Sequence, residues 1–308
     1  MSAWTVNDMP DLSGRTAIVT GATSGLGFES ALALAAHGAA VMLAVRDPAR
    51  GEACVARIRA RHAQAKLSVG VLDLASLASV RAFAQQVADT LPGIDLLLNN
   101  AGLGLQNKRG VTADGFERMF GTNHLGHFAL TGLLIPTLLR APAPRVVTIS
   151  SIAHRRGKID FADLQTERPY NGRVAYGQSK LANLMFALEL DRRARLVQSR
   201  LSSIAAHPGV ASTGFVAATG MPGLMVRTAN LAIGALGQSA ARGALPGLYA
   251  GTMPDVTGGQ YWGPDGLLEV RGNPALAKIA PQGEDRETWG RLWTVSEELT
   301  GVVYPALA

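Results

Sequence analysis

Residues 20–27 read Thr20-Gly21-Ala22-Thr23-Ser24-Gly25-Leu26-Gly27, and the fold follows from what flanks them. Before them, Arg15 to Thr20 is a short apolar run with the pattern of a buried strand. After them, Leu26 to His37 is alanine-rich, reads as a helix, and is closed by Gly38. A strand that turns through three glycines into a helix has a physical use. Gly21 permits the tight turn, Gly25 lets a pyrophosphate come close to backbone, and Gly27 lets the helix lie against the strand. The helix start then offers unpaired N–H groups to phosphates, which makes Gly21, Thr23, Ser24, Gly25, Leu26 and Gly27 candidate cofactor-binding residues. The spacing is G-x-x-x-G-x-G rather than the usual G-x-G-x-x-G, and a purely structural turn competes with this reading. The position between first strand and first helix favours the dinucleotide.

Outward from the turn, short apolar runs alternate with longer helical ones. Ala40 to Val45 is a second strand, and Pro48 opens a helix running to His62. Leu67 to Leu72 is a third strand, Ser76 to Leu91 a helix capped by Ser76, and Ile94 to Leu98 a fourth strand. A long helix is expected over Ala113 to Leu139, a fifth strand over Arg145 to Ile149, a second long helix over Val174 to Val197, and a sixth strand over Leu201 to Ala206. Regular β-α alternation with strands apolar on both faces means a parallel sheet covered by helices on both sides, doubly wound by right-handed crossovers. Beyond Ala206 the pattern loosens into a Gly-, Thr-, Met- and Ala-rich segment. Ser239 to Gly251 then reads as a helix and Gly259 to Trp262 as a last strand, before a weakly patterned tail over 271–308. One α/β domain is expected, with a cofactor half at about 12–150 and a catalytic and substrate half at about 151–270.

Composition agrees with a globular α/β chain. Of 308 residues, 47% are hydrophobic and 17% charged, enough apolar material for a large core. The net charge of +6 comes mainly from scattered arginines such as Arg57, Arg59, Arg61, Arg192, Arg193 and Arg195, spaced as solvated helix faces. No aromatic-basic stacking pattern accompanies them, so no nucleic-acid partner is expected. Cys54 is the one cysteine, which excludes an internal disulfide and a cysteine-based metal site. Met1 to Gly14 carry no basic segment followed by an apolar one, and Leu125 to Leu139 is interrupted by Gly126, His127, Thr131 and Pro136. The expectation is a cytoplasmic protein with no membrane span.

The end of the second strand bears on cofactor choice. An NAD site commonly carries an acidic residue there for the ribose hydroxyls, whereas this strand ends Ala44-Val45-Arg46-Asp47. Arg46 can pair with a 2′-phosphate in fork geometry, which favours NADP(H) over NAD(H). Asp47 is the competing reading, since a shift of one residue puts a carboxylate at the ribose; both can also be plain loop charges.

With these features the chain resembles the short-chain dehydrogenase/reductase family, a single-domain Rossmann fold. The resemblance rests on Thr20 to Gly27, Asn99-Asn100-Ala101-Gly102, Asn123, Ser150-Ser151, Tyr176-Gly-Gln-Ser-Lys180 and Pro208-Gly209, in family order over residues 15 to 213. Within the family it is similar to the retinol dehydrogenase-like branch. That likeness lies in Val45-Arg46-Asp47 with Gly51-Glu52, Asn123-His124-Leu125-Gly126-His127-Phe128, Ser150-Ser151-Ile152-Ala153-His154, and a long gap from Ser151 to Tyr176. The branch is mostly NADP-linked and includes retinol and steroid dehydrogenases and protochlorophyllide reductase.

Tyr176 and Lys180 lie four apart on an expected helix and share a face. A phenol titrates near pH ~10, and an adjacent ammonium favours phenolate, so Lys180 is expected to lower the Tyr176 pKa. The resemblance implies that Tyr176 exchanges a proton with the substrate oxygen and that Lys180 also holds the nicotinamide ribose. Ser150 and Ser151 alternate onto opposite faces, and the family pattern selects Ser151 for the substrate oxygen. It also implies that Asn123 holds a water in a relay toward Lys180. Asp73 and Leu74 resemble the adenine edge, with a helix-leading cap as the plain reading of Asp73. Asn100, Ala101 and Gly102 would line the cleft, as would Pro208, Gly209 and Val210, while Thr213 resembles the threonine that meets the nicotinamide amide.

His124 and His127 have helical spacing suited to metal, but no third ligand is near in sequence. They read as packing or interface residues, and no metal is expected. The leading expectation is a reductase of a small-molecule ketone or aldehyde, reversible as an alcohol dehydrogenase. Reduction of a conjugated C=C bond and a non-catalytic NADP sensor stay open beside it. Substrate choice is expected in Ile152 to Gly172 and Val210 to Leu236, where Met221, Leu224 and Met225 suggest an apolar cover. The family also implies a homodimer or homotetramer built on the two long helices.

Overall fold

The computed structural model describes residues 4–212 and 238–307. Thr213 and most of the expected substrate cover, including Met221, Leu224 and Met225, lie outside the described residues.

The strands are β1 (Thr16–Thr20), β2 (Ala40–Val45), β3 (Leu67–Val71), β4 (Leu96–Asn99), β5 (Arg145–Ile149), β6 (Ser202–Ala206), β7 (Ala211–Ser212), β8 (Gln238–Ser239), β9 (Tyr261–Pro264) and β10 (Pro274–Leu276). Eight of them form one sheet in the order β10-β9-β6-β5-β4-β1-β2-β3, while β7 pairs separately with β8. All pairs in the large sheet are parallel except the edge pair β9–β10, which is antiparallel. The strand order reverses between β1 and β4, and a crevice opens at the carboxyl ends of strands at such a point.

Alternation along the strands feeds two cores. On one face, Val19, Val41, Leu43, Leu98 and Val147 meet Phe28, Leu34, Val55, Ile58 and Leu248. On the other, Ile18, Met42, Leu97 and Val146 meet Val80, Phe83, Phe128, Phe186 and Trp293. The helices supplying those partners are α1 (Gly25–Ala36), α2 (Pro48–Arg59), α3 (Leu77–Thr90), α4 (Gly126–Leu138), α5 (Gly172–Leu196), α6 (Ala240–Thr252) and α7 (Arg286–Thr300).

Two expectations are corrected. The helix foreseen from Ala113 starts later. Residues 111–117 instead close a small turn by a Val111–Glu117 bridge, and the Phe120 N–H is capped by the buried Glu117 carboxylate at 2.7 Å. The first turns, Phe120–Leu125, are π-helical, with the Gly126 N–H reaching back to the Gly121 carbonyl. The tail is also more ordered than its pattern suggested. Asp285 caps α7 through the N–H groups of Glu287 and Thr288, and Gly301 ends it in the left-handed conformation. Trp293 of α7 stacks on Phe186 and meets Phe128 edge-on, Tyr304 beyond it packs against Phe128 and Trp293, and the Tyr304 hydroxyl donates to the Phe128 carbonyl. The tail therefore covers part of the α4 and α5 surface assigned above to a subunit interface, because aromatic residues spaced along α7 bury best against those helices.

Candidate active site

A cleft of about 600 Å3 opens at the β1/β4 switch point. Its floor is the glycine turn. The Gly21 N–H donates to the Ala44 carbonyl at 2.9 Å, with Gly21 at φ 69°, in the left-handed region that favours glycine. Gly27 seats α1 on that turn: a Cβ there would stand 2.4 Å from the Gly21 carbonyl oxygen. We expect Gly27→Ala to cost about 1–3 kcal/mol of overpacking, read by urea denaturation; unchanged stability would mean that the helix is not seated there.

Thr20 ties the two switch-point strands together. Its hydroxyl oxygen accepts from the N–H groups of Asn100 and Ala101, both at 2.9 Å, and lies 3.0 Å from His127 Nε2. His127 Nδ1 is 2.9 Å from the Asn123 carbonyl, which can only accept, so Nδ1 carries the proton and Nε2 accepts from Thr20. Burial, reinforced by the Lys180 charge, pushes His127 down to about 4, so the ring is neutral. His124 is buried as well, beside Ser296 of α7 at 2.9 Å, and is pushed down to about 3 by burial and His127. Both histidines are packing residues, and among the described residues no cluster suited to a metal occurs.

At the end of the cleft beside β2 and β3, Arg46 and Arg50 line it with Asp73 and Leu74. The Asp47 carboxylate is engaged as the cap of α2, accepting from the Arg50 N–H at 3.2 Å. Asp73 is not the cap of α3, a role taken by Ser76; its Oδ1 accepts from the Ala75 N–H at 3.0 Å. Arg50 was missed in the sequence. The signal was present, since Pro48 at the helix start puts Arg50 on the first turn of the helix that follows β2.

At the other end, Ser151, Tyr176 and Lys180 converge. Ser151 lies two residues past the end of β5, its hydroxyl accepts from the Ala153 N–H at 3.1 Å, and it shares a hydrogen bond with the Tyr176 hydroxyl. Ser150 makes a buried hydrogen bond to the Lys180 carbonyl at 2.7 Å. Lys180 Nζ donates to the Ile149 carbonyl at 3.1 Å and lies 6.0 Å from the Tyr176 ring centre. Asn123 does not line the cleft. It sits fully buried behind it, accepting from the Leu103 N–H at 2.7 Å and donating to the Leu103 carbonyl and to Ser179. The Asn100–Gly102 run and Pro208–Val210 complete the walls.

The titration behaviour corrects one expectation. Tyr176 is pushed up to about 12 by burial, which outweighs the lowering hydrogen bond from Ser151. Lys180 is pulled down to about 8, also by burial. Sequence spacing shows the adjacency of the two groups but not their desolvation, and desolvation wins here. Unfolded lysine keeps its proton to about 10.4. Between pH 8 and that value the unfolded chain therefore binds the extra proton, and this group makes folding more favourable as pH rises. In a lysine 13C NMR titration of the ligand-free protein, the resonance lost in Lys180→Met should titrate near pH 8. A midpoint near 10.4 would contradict the burial.

The residues fit a nicotinamide dinucleotide. The cleft runs past the α1 N-terminus between a pair of guanidinium groups and the Tyr176–Ser151 pair, and the buried Thr122 hydroxyl on its wall has no protein partner. Fold and site thus define a nicotinamide-dependent dehydrogenase or reductase acting on a CH–OH/C=O pair. The chain matches the short chain dehydrogenase family over residues 15–221. It is 39% identical to human "Retinol dehydrogenase 13", covering 96% of this chain and 87% of that protein. It is 40% identical to mouse "Polyprenol dehydrogenase", covering 95% and 86%. Among solved structures, an uncharacterized protein from Mycobacterium paratuberculosis superposes with a TM-score of 0.79 at 39% identity, over 99% of this chain and 100% of that one. The chain belongs to the short-chain dehydrogenase/reductase family, in its retinol dehydrogenase-like branch.

Proposed function

We propose that this protein is an NADP(H)-linked reductase of an apolar ketone or aldehyde, reversible as an alcohol dehydrogenase. The observation that carries the reading is the hydrogen-bonded Ser151–Tyr176 pair facing the same cleft as Arg46 and Arg50. The bound cofactor supplies the hydride in reduction and takes it in oxidation. Tyr176 holds a proton on its phenol at neutral pH, as a donor to a carbonyl oxygen must, and Ser151 offers that oxygen a second hydrogen bond. Lys180 lines the same cleft as the tyrosine, held by its bond to the Ile149 carbonyl.

For NADP(H), the support is the pair of guanidinium groups and the engagement of Asp47 as a helix cap. For an apolar substrate, it is the lining of the catalytic end by Leu103, Ile149, Ile152 and Val210, together with relatives named for retinol and polyprenol, both apolar alcohols. The test is oxidation of NADPH and NADH against a panel of apolar ketones, aldehydes and enones, with product analysis. Turnover of carbonyls with NADPH preferred is the expected result. Saturation of the C=C bond alone would move the reading to a conjugated-bond reductase, and tight NADPH binding without turnover would overturn it.

A further inference from the structure

Behind the catalytic wall lies a partly buried polar network that the proton chemistry does not use. Its centre is Glu269, in the short turn Leu267–Glu269. Leu268 and Glu269 both have left-handed backbone, at φ 54° and 58°, a conformation that side-chain-bearing residues rarely adopt and that persists only where the surroundings enforce it. The enforcement is visible at the carboxylate. One oxygen lies 3.0 Å from His207 Nε2 and 2.6 Å from an Arg155 guanidinium nitrogen, and the other accepts from the Lys278 N–H at 3.1 Å.

Each partner leads to a different side of the cleft. His207, fully buried after β6, accepts the Gly209 N–H on Nδ1 at 3.2 Å, so its proton is on Nε2 and is donated to Glu269. Gly209 is also pressed against this turn: a Cβ there would meet the Glu269 carbonyl at 2.9 Å and the Val270 carbonyl at 2.3 Å. The Val210 N–H donates to the Val270 carbonyl at 2.8 Å. Gly209 and Val210 are cleft walls. Arg155 leads the other way, to the 3-10 turn Ile152–Arg156 whose first cap is Ser151. In that turn His154 Nδ1 donates to the Ser151 carbonyl at 2.7 Å. Tyr261 fills the space between, its ring centre 5.3 Å from that of His154 and 5.2 Å from that of His207.

We propose that Glu269 is a positioning residue that locks the Ser151 turn and the Gly209–Val210 wall into one rigid unit, fixing the substrate oxygen site relative to the nicotinamide end of the cofactor. Glu269 touches neither substrate nor cofactor; it acts through Arg155 and through His207. The proposal rests on the reading that this cleft takes a nicotinamide dinucleotide and reduces a carbonyl.

The experiment compares wild type with Glu269→Gln, which keeps the shape and removes the charge. NADPH binding is followed by fluorescence, 2′,5′-ADP binding by calorimetry, and kcat by ketone reduction. The expected result is a kcat lowered about tenfold and an NADPH Kd raised about fivefold, with 2′,5′-ADP affinity unchanged within about twofold. The adenine half of the site is built on β2 and β3, which the network does not reach. Arg155→Gln, at a half-exposed position, should lower kcat with little change in NADPH affinity. Unchanged kcat and NADPH affinity in Glu269→Gln would overturn the proposal, and so would a parallel loss of 2′,5′-ADP binding, which marks general destabilisation. If Glu269→Gln does not fold, unchanged kcat in Arg155→Gln overturns it. If wild type binds NADPH but reduces no carbonyl, the functional reading fails and the two affinities still decide the positioning role. Should wild type bind NADH instead, the same comparison runs with NADH and AMP.

Discussion

Replacing Tyr176 by phenylalanine is expected to lower carbonyl reduction by about 10²–10⁴-fold while NADPH binding stays within about twofold. The substitution removes one hydroxyl and leaves the ring. That hydroxyl is the group bonded to Ser151 and lies in the cleft beyond the glycine turn. With the Tyr176 pKa pushed up to about 12 by burial, the phenol keeps its proton through the neutral range. Proton delivery to a developing alkoxide is therefore the term lost. Ser151 remains able to hydrogen-bond the same oxygen, so residual turnover above background is expected. Folding should change little, because the substitution keeps the ring at the cleft wall and α5 is held by its own core face. Steady-state kinetics with a cofactor titration on the same preparation checks both halves. Loss of less than about fivefold would remove Tyr176 from the proton step.

The second expected result concerns Arg46 and Arg50. Substituting both by alanine should raise the KM for NADPH by about 10–100-fold at low salt, the range of one or two charge-assisted hydrogen bonds. The KM for NADH should stay within about twofold. Both guanidinium groups are exposed, so the penalty should shrink as ionic strength rises. Arg46→Ala alone is expected to give the larger part, since Arg46 directly follows β2, whereas Arg50 reaches the cleft from the first turn of α2. The Asp47 Oδ1 accepts from the Arg50 N–H, a backbone bond that substitution of Arg50 by alanine leaves in place. Equal loss with NADH and NADPH would point to a pyrophosphate role for the arginines and remove the argument for a 2′-phosphate.

The two long helices show how sequence and structure divided the work. Tyr176 and Lys180 were found from their spacing because i, i+4 neighbours share a helix face in any context. Their acid strengths were not, because desolvation depends on what other segments cover them. Asn123 was found by its motif, yet its side chain faces Leu103 and Ser179 behind the cleft, a placement that the π-helical turn before α4 decides. The turn over 111–117 carried a readable signal in Asp114-Gly115, a turn dipeptide whose glycine stands at φ 86°, while the Glu117 cap that starts the helix is recognisable only once the chain is folded. Helix α7 carried readable signals in Asp285 and Gly301, but its buried face mixes Leu292 and Trp293 with Ser296 and Thr300 and gains meaning only against Phe128 and Phe186.

By itself, the run from Thr20 to Gly27 determined a strand, a tight turn and a helix N-terminus, and with the later motifs a doubly wound sheet and a dinucleotide-sized task. Those are local matters of glycine spacing, capping and periodicity, and local chemistry is written residue by residue. Tertiary structure alone decided that Thr20 joins β1 to the Asn100 loop and that Glu269 reaches both walls of the cleft. Each of these depends on distance and burial between segments far apart in the chain, and no local pattern encodes a distance between residues that only folding brings together.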